Sequence, residues 1–302
     1  MTNLKEIRTR IASVVSMRQI TSAMKMVAAA KLKKAQDAVT NFRPYIQKMH
    51  EIMEHVVSSA AGDEPDNVFV ENRDHNRVLI VVITSNHGLC GAFNSNVLKE
   101  AMLLAERKHS MFLPPEKIRF LTIGKKGYDA LRKRNLPLDP PNMEIVEHLT
   151  YGKAAEVAET LMDAFLSKRY DCIDIVYNEF INAATQKVVC KQFLPLLPEQ
   201  EHTGMMAKKH SEKILPVDYI FEPTKKYIHQ ELIPQEIRLT FYGIMLDSIA
   251  SEFGARMTSM HQATDNATTL IQEFTLQYNK ARQAAITNEI LEIVGGAEAL
   301  KG

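Results

Sequence analysis

A glycine-bearing turn at residues 85–91, directly after the apolar run 78–84, is the first candidate for chemistry in this sequence. Glycines that follow a strand can bring backbone N–H groups onto a phosphate. The spacing of Gly88 and Gly91 fits neither G-x-G-x-x-G nor G-x-x-x-x-G-K-[ST], and no acidic residue ends the following strand to bind a ribose. We therefore expect a structural turn, with no cofactor and no direct nucleotide binding.

Cysteine, histidine and aspartate give no second candidate for catalysis or metal binding. Cys90 lies near His87, but sequence neighbours rarely have the geometry of a nucleophile and its base, so an inert buried thiol is favoured. The ten histidines lack metal-ligand spacing, and Asp171 and Asp174 are expected to cap a strand start or to face solvent. No CxxC pair occurs, and we expect three reduced core thiols: Cys90, Cys172 and Cys190.

Length and charge limit the remaining classes of protein. The chain has 302 residues, which suggests about two structural units. Its 37 basic and 36 acidic residues give a net charge of +1, so no overall field favours nucleic acid as a partner. A local basic stripe lacks interleaved aromatic residues and is typical of a solvated helix face: Lys25, Lys31, Lys33 and Lys34. The longest apolar run is too short to span a bilayer, so at most a peripheral position at a membrane is predicted.

The distribution of glycine and proline divides the chain into three parts. All 12 glycines lie at or after Gly62, and 10 of the 12 prolines lie between Pro65 and Pro223. Because these residues interrupt regular structure most strongly, residues 1–61 and 235–294 are predicted to form long helices. The expected parts are an N-terminal helix at 1–61, a central α/β domain at 62–217 and a C-terminal helical part at 218–302.

Apolar residues of the N-terminal part recur at alternating steps of three and four, the spacing of a coiled-coil seam. One row has eight members: Leu32, Ala35, Val39, Phe42, Ile46, Met49, Met53 and Val56. An earlier row is expected to change phase, from Leu4, Ile7, Ile11 and Val14 to Met17, Ile20, Met24 and Val27. The change predicts a local alteration of the supercoil near residues 14–20.

The C-terminal part carries a matching row, which predicts that the two ends of the chain pair. Its members are Met257, Met260, Thr264, Ala267, Ile271, Phe274, Tyr278, Ala281 and Ala285. Residues 1–60 hold ten basic and four acidic side chains, whereas residues 234–302 hold five basic and eight acidic ones. The opposite net charges, +6 and −3, also favour a long antiparallel coiled coil of the N- and C-terminal helices.

The middle of the chain alternates strand-like and helix-like segments. The strand-like segments are 78–84, 118–123, 172–177 and 187–193, and the helix-like segments are 95–108, 125–134 and 154–166. This alternation predicts a small central α/β domain of Rossmann-like order, and the fold class is α+β or α/β. Residues 195–216 are expected to form a mobile loop.

Several strings of this sequence match those of a known family. Residues 286–299 match I-T-x-E-x-x-[DE]-x-x-x-G-A-x-[SAKR] at every defined position, and residues 20–31 match I-T-x-A-M-x-M-V-A-x-x-K. Further family-like strings lie at residues 88–94, 263–267 and 278–283. In these motifs the chain resembles the gamma subunit of F-type (H+-transporting) ATP synthases, in order and along its whole length.

The resemblance implies a non-catalytic rotor subunit of the central stalk. In that family the two terminal helices form an asymmetric shaft inside a ring of alternating alpha and beta subunits. The α/β insert lies near the foot, which rests on the c-ring together with the epsilon subunit. Turning the shaft presents a different face to each of three catalytic sites, so torque passes between the proton-driven c-ring and the catalytic head. No cofactor, metal or nucleic acid is implied.

The resemblance also implies contact residues, position by position. Four residues match positions that contact the loops of the ring: Arg282, Gln283, Thr287 and Glu289. Met24 and Arg256 match positions at which shaft and beta subunit affect coupling, and Lys25 is a candidate partner for the acidic lever segment of the beta subunits. Tyr219 and Glu222 are candidates for the face on the c-ring.

Two departures bear on control and location. Cys172 and Cys190 lie in strand-like segments, so the regulatory cysteine pair of the chloroplast form is not seen and thiol control is not predicted. No transit segment is seen, which favours a bacterial chain, peripheral on the cytoplasmic face of the inner (plasma) membrane.

Two other hypotheses stay open from the sequence. One is a Rossmann-like dehydrogenase with helical arms, which would bind nicotinamide saturably. The other is a self-associating coiled-coil scaffold, which would form dimers through residues 1–60.

Overall fold

The structure is a computed structural model that describes residues 4–58, 69, 76–109, 113–196 and 225–299. Within these ranges, the side chains of residues 53–58, 109, 115, 225–230 and 299 lie outside the description. The chain divides into two compact units, Lys31–Ala255 and Met1–Ala30 with Arg256–Gly302.

Two very long helices begin and end the described chain, as the glycine and proline pattern predicts. Helix α1 is Leu4–Ser58, and helix α6 is Lys225–Ala299. The start of α6 differs from the expectation, because Pro234 lies inside the helix and not before it. Proline costs a helix one backbone hydrogen bond, and burial of the neighbours Ile233 and Ile237 offsets that cost. In the described residues, no helix combines the length and the apolar character needed to cross a membrane.

A mixed four-stranded sheet forms the centre of the unit Lys31–Ala255. Its strands are β1 (Val78–Ile83), β2 (Ile118–Ile123), β3 (Cys172–Phe180) and β4 (Gln186–Leu194). The order is β2-β1-β3-β4, in which β1 is parallel to β2 and β3, and β4 is antiparallel to β3. All six residues of β1 are buried, as its continuous β-branched run predicts for a strand covered on both faces.

Helices cover both faces of the sheet. The covering helices are α2 (Phe93–Leu104), α3 (Lys125–Arg132), α4 (Glu144–Glu147) and α5 (Tyr151–Leu166). One core lies between the sheet and α5, and residues 233–245 of α6 contribute to it. The other core packs α2 on the opposite face. Helix α2 is shorter than the predicted segment 95–108, since Ala105–His109 is a π-helical turn. The loop expected at 195–216 lies, from residue 197 on, outside the described residues.

Two side chains beside the turn after β1 accept hydrogen bonds from backbone N–H groups at the start of α3, the helix that follows β2. Lys125 N donates to Asn86 Oδ1 at 2.9 Å, and Gly127 N donates to Thr84 Oγ1 at 2.9 Å. Gly124 has a φ of 102°, and a Cβ there would lie 2.1 Å from the carbonyl oxygen of Thr84. Within the glycine-bearing turn itself, Ser85 N donates to Asn94 Oδ1 at 3.0 Å, so a side chain of α2 already accepts from this N–H group.

Two expectations about burial, one for Asp174 and one for Cys190, are wrong. Asp174 does not face solvent, because it lies in β3 between two neighbouring strands and is 1% exposed. Its Oδ1 lies 2.9 Å from Lys108 Nζ of the π-helical turn, which compensates the buried charge. Cys190 is exposed, since it lies on β4 at the edge of the sheet, whereas Cys90 and Cys172 are buried as expected.

A half-buried acid on α6 lies beside the end of β3. Its partial burial is the main cause that raises the pKa of Asp247 to about 6, with Arg43 of α1 opposing the shift and Glu179 adding to it. In turn, burial and the charges of Asp247 and Glu179 raise the pKa of Tyr177. The pKa of Asp247 in the folded chain therefore lies above its ordinary value, so folding favours the protonated carboxyl.

The raised pKa predicts a stability that depends on pH. The contribution of Asp247 is fully present below about pH 4 and is lost as the pH rises through about 6. Between about pH 4 and about pH 7.5, the free energy of unfolding of the native chain should fall by about 2 kcal/mol more than that of the Asp247→Asn variant, which lacks the titrating carboxyl. Urea denaturation at both pH values measures this difference.

Asp37→Asn is the matched control for this prediction. Asp37 is exposed and pairs at 2.8 Å with Lys33 of its own helix. Its substitution should shift the same difference by less than about 0.5 kcal/mol. Equal shifts for the two variants would contradict the assignment to Asp247.

Candidate partner-binding surface

One face of α1 is turned inward in the unit formed by Met1–Ala30 and Arg256–Gly302. The inward row follows steps of three and four without interruption, and its members are buried or half-buried: Leu4, Ile7, Ile11, Val14, Arg18, Thr21, Lys25 and Ala28. The predicted change of phase is therefore wrong. Of the residues assigned to the shifted row, Met17 is 57% exposed, Ile20 60% and Val27 57%, and only Met24 is half-buried.

The inward row tolerates polar residues because they find partners on α6. Thr264 Oγ1 lies 2.9 Å from Thr21 Oγ1 and 2.8 Å from the carbonyl oxygen of Met260. Lys25 Nζ lies 3.5 Å from His261 Nδ1, and that imidazole nitrogen lies 3.3 Å from Asp265 Oδ2. The positions of apolar residues alone do not identify the inward face of α1, because Thr21 and Lys25 also lie on it and have polar partners on α6.

The apolar row predicted on α6, from Met257 to Ala285, is buried or half-buried in the unit formed by Met1–Ala30 and Arg256–Gly302. Met260 and Ala267 are buried, and the other members from Met257 to Ala285 are half-buried. Numbers rise along α1 as they fall along α6, because Thr21 faces Thr264 and Lys25 faces His261. With that pairing Leu4 lies opposite about residue 281, at 1.5 Å rise per residue in both helices. The last turns of α6 therefore extend beyond the described start of α1.

The end of α6 exposes large apolar side chains on every side. All side chains from Ile286 to Glu298 are exposed. They include five large aliphatic residues: Ile286, Ile290, Leu291, Ile293 and Val294. We call Ile286–Glu298 the tip. Large apolar groups exposed together on a helix are typical of a surface that another molecule covers.

A second exposed apolar group lies on α1 and consists of Met17, Ile20, Met26 and Val27. The apolar spacing predicts that Met17, Ile20 and Val27 lie in the seam, which is wrong because they are exposed. The signal that could have identified their exposure is the unbroken row through Arg18, Thr21 and Lys25, which leaves Met17, Ile20 and Val27 on the neighbouring face.

The predicted contact residues lie in two places along this unit. Four of them are exposed within two turns near the tip: Arg282, Gln283, Thr287 and Glu289. Thr287 Oγ1 donates to the carbonyl oxygen of Gln283 at 2.9 Å. Arg256 is buried and lies about 39 Å along α6 from Arg282. Met24 and Lys25 are half-buried on α1. Tyr219 and Glu222 lie outside the described residues.

No cluster of histidine, cysteine or carboxylate side chains with metal-binding geometry occurs in the part of the chain that the structure describes. Cys90 also lacks the setting of a nucleophile. It is buried, accepts a hydrogen bond from Asn94 Nδ2 at 3.2 Å and lies 3.7 Å from Ser85 Oγ. What this chain offers to other molecules is thus a surface of exposed apolar and polar side chains on two helices.

Ile7 and Ile20 test the assignment of the inward face. Ile7 is 4% exposed, and Ile7→Ala is expected to lower the free energy of unfolding by about 2–3 kcal/mol because it removes buried methyl groups. Ile20→Ala should cost less than about 0.5 kcal/mol. Urea denaturation followed by circular dichroism measures both losses, and a larger loss for Ile20→Ala would contradict the assignment.

Comparison with known proteins identifies the family. A family model described as ATP synthase matches residues 3–300. The chain is 51% identical over 302 residues to the ATP synthase gamma chain of Flavobacterium johnsoniae, with 100% of both chains covered. It is 48% identical over 300 residues to the ATP synthase gamma chain of Cytophaga hutchinsonii, with 99% of both covered.

Solved structures are similar as well. A chain from the central stalk and c-ring structure of the Tetrahymena thermophila mitochondrial ATP synthase matches with a TM-score of 0.55 and 26% identity, covering 81% of this chain and 99% of that chain. A chain of the Euglena gracilis mitochondrial ATP synthase in rotational state 3 matches with a TM-score of 0.66, covering 98% of this chain and 94% of that chain. At 21% identity, the latter likeness concerns the fold alone. By its family model and its full-length relatives, this chain belongs to the family of ATP synthase gamma chains.

Proposed function

We propose that this chain is the rotor subunit of the central stalk in an F-type ATP synthase. It transmits torque between a proton-driven c-ring and a catalytic head of alpha and beta subunits, and it catalyses no reaction itself. The observation that carries the proposal is the exposed apolar tip of α6, on a chain whose relatives are ATP synthase gamma chains. The similar Tetrahymena chain comes from a central stalk solved with its c-ring, which supports the same assembly here.

The shaft is an antiparallel coiled coil of α1 and α6. Matching rows at steps of three and four support this proposal, as do the facing pairs Thr21 with Thr264 and Lys25 with His261. The net charges of the two ends, +6 and −3, favour the same pairing. Three parallel strands with helices on both faces support a Rossmann-like central domain. In this proposal the domains are 1–61, 62–217 and 218–302.

The tip of α6 turns inside an apolar collar of the alpha and beta ring. Burying one large aliphatic side chain contributes about 1.5–3 kcal/mol, so five of them make insertion favourable without any specific bond. Apolar contacts are also non-directional, which lets the tip turn within the collar. Near the tip, directional contacts with ring loops come from Arg282, Gln283, Thr287 and Glu289. Their hydrogen bonds break and re-form as the shaft turns.

Further contacts lie away from the tip. Met24 and Arg256 influence coupling with the beta subunits, and Lys25 faces the acidic lever segment of those subunits. Tyr219 and Glu222 contact the c-ring beside the epsilon subunit. The chain itself is peripheral, on the cytoplasmic face of the bacterial inner membrane.

The mechanism follows from the unequal sides of the shaft. On α1, the exposed apolar residues Met17, Ile20 and Val27 mark one face, while basic and polar residues mark others. A catalytic subunit that contacts these faces in turn experiences a different contact energy at each position. That difference biases each of the three sites among open, loose and tight states without any contact to nucleotide.

The alternative functions are less well supported. A dehydrogenase would bind its cofactor at the glycine-bearing turn after β1, but the spacing of Gly88 and Gly91 fits no dinucleotide motif, and Ser85 N of that turn already donates to Asn94 Oδ1. A self-associating scaffold would need free seams, whereas the rows of α1 and α6 bury each other within one chain. Neither alternative explains the exposed tip.

Removal of the tip tests the proposal directly. We expect a chain that stops after Ala285 to keep its melting temperature within a few degrees, because all removed side chains up to Glu298 are exposed. Reconstituted with alpha, beta, epsilon and membrane subunits, it should lose most proton-driven ATP synthesis. Circular dichroism and synthesis in inverted vesicles give the two results.

A paired substitution sharpens the same test. Ile290→Ser with Ile293→Ser should weaken synthesis, since these side chains are 55% and 71% exposed in the isolated chain and apolar. Gln272→Ser with Gln277→Ser is the matched control on the same helix, also at exposed positions, and should leave synthesis unchanged. Normal synthesis by the isoleucine variant would contradict the proposed collar.

A further inference from the structure

The end of the β3–β4 hairpin is fastened to α6 within the unit Lys31–Ala255. Ser251 Oγ donates to the carbonyl oxygen of Asn178 at 3.1 Å, in a buried position. One turn further along α6, Gly254 packs against the hairpin, since a Cβ there would lie 3.0 Å from the carbonyl oxygen of Ala183. The sheet therefore contacts α6 through main-chain atoms, which cannot adjust by changing a rotamer.

A single arginine fastens α1 to the same hairpin. Arg43 Nη2 donates to the carbonyl oxygen of Phe180 at 3.2 Å, and it lies 3.4 Å from Asp247 Oδ1. One guanidinium thus joins α1, β3 and α6. Its planar array of donors suits two acceptors at once, which a lysine ammonium on a flexible stem does less well.

Arg43 lies next to a proline inside α1, where the backbone hydrogen bonding of the helix is interrupted. Pro44 follows it inside the helix, and proline removes the backbone hydrogen bond to the residue four positions earlier, Thr40. Such positions are where helices bend. The neighbouring contacts keep the two helices close: the Phe42 ring meets Tyr242 edge-on at 4.8 Å, and a Cβ on Gly243 would lie 2.6 Å from Ile46 Cδ1.

We propose that Arg43 is a positioning residue that makes α1 turn together with α6 when torque enters through the α/β domain. This inference rests on the proposed rotor function. Torque on the domain reaches α6 through the shared core and through Ser251 and Gly254. On α1, Arg43 ties the helix to β3 directly beside Pro44, where a helix bends most easily. With Arg43 in place, both helices of the shaft move as one body under load.

A merely structural role for Arg43 makes a different prediction, and paired variants separate the two. We call the contacts of Arg43 with Phe180 and Asp247 the joint. Arg43→Met leaves the half-buried carboxyl of Asp247 without its cation, so both the fold and the joint are weakened. Arg43→Met with Asp247→Asn removes the unpaired acid. The double variant should regain a melting temperature within about 2 °C of the native chain, yet its link to Phe180 stays lost.

The experiment uses the full chain in the assembled, membrane-bound enzyme. For the double variant we expect ATP hydrolysis by the detached complex with alpha and beta subunits to stay within two-fold of native, because no load acts on the joint. Proton-driven ATP synthesis should fall about five-fold or more. Lys33→Met is the matched control, since Lys33 is exposed and pairs at 2.8 Å with Asp37 of its own helix. It should leave synthesis and hydrolysis unchanged.

Each outcome decides one question. Native synthesis by the folded double variant would overturn the role of Arg43, while the rotor function would stand. Failure of the native chain to assemble with alpha and beta subunits would reject the rotor function and this inference with it. Should the double variant not fold, Arg43→Lys provides the test. It keeps the charge near Asp247, so stability should be native and synthesis intermediate, and fully native synthesis would overturn the proposal.

Discussion

Mutual burial of α1 and α6 is the constraint on which the rest of this structure depends. Helices of 55 and 75 residues each carry an apolar row, and neither row could stay exposed to water along such a length. In the unit Met1–Ala30 with Arg256–Gly302, burial reaches Ile7 and Ala28 on one helix and Met260 and Ala267 on the other. Because one side of each helix is committed to its partner, the remaining sides are fixed as the surface that other molecules meet.

The polar members of the inward row give the surface its character. Thr21 and Lys25 lie inward with Thr264 and His261 as partners, so the apolar residues Met17, Ile20 and Val27 lie outward. The hydrogen bonds in such a seam contribute only about 1 kcal/mol each to stability, yet they orient α1. A reversed assignment would bury the methionine and isoleucine and expose a polar face. The sidedness that a rotor needs thus depends on a few polar contacts.

Local patterns in the sequence predict the elements well, and long-range contacts explain what they miss. The β-branched run at β1 and the absence of glycine before Gly62 identify a buried strand and a long helix because those signals are local. Pro234 falsely suggests a helix boundary, since burial of Ile233 and Ile237 overrides its local cost.

The contacts that hold α1 to β3 and α6 connect residues that are far apart in the sequence. Arg43 and Asp247 are 204 residues apart, and no spacing rule connects them. Asp174 likewise finds Lys108 only because β3 lies beside the π-helical turn. The motif at residues 286–299 identifies the family from sequence, but the exposure of Ile290 and Ile293 is visible only in the structure. Contact residues near the tip could therefore be predicted by resemblance, and the apolar surface around them could not.

Direct observation of rotation tests the central claim that this chain turns as a shaft inside a catalytic ring. A gold bead attached to a cysteine introduced at the exposed Lys133, in a chain with Cys190→Ser, would report the motion in an immobilised complex with alpha and beta subunits. On addition of ATP, we expect rotation in one direction with three pauses in each turn. A bead that stays fixed while the complex hydrolyses ATP, or that moves without preferred direction, would contradict it.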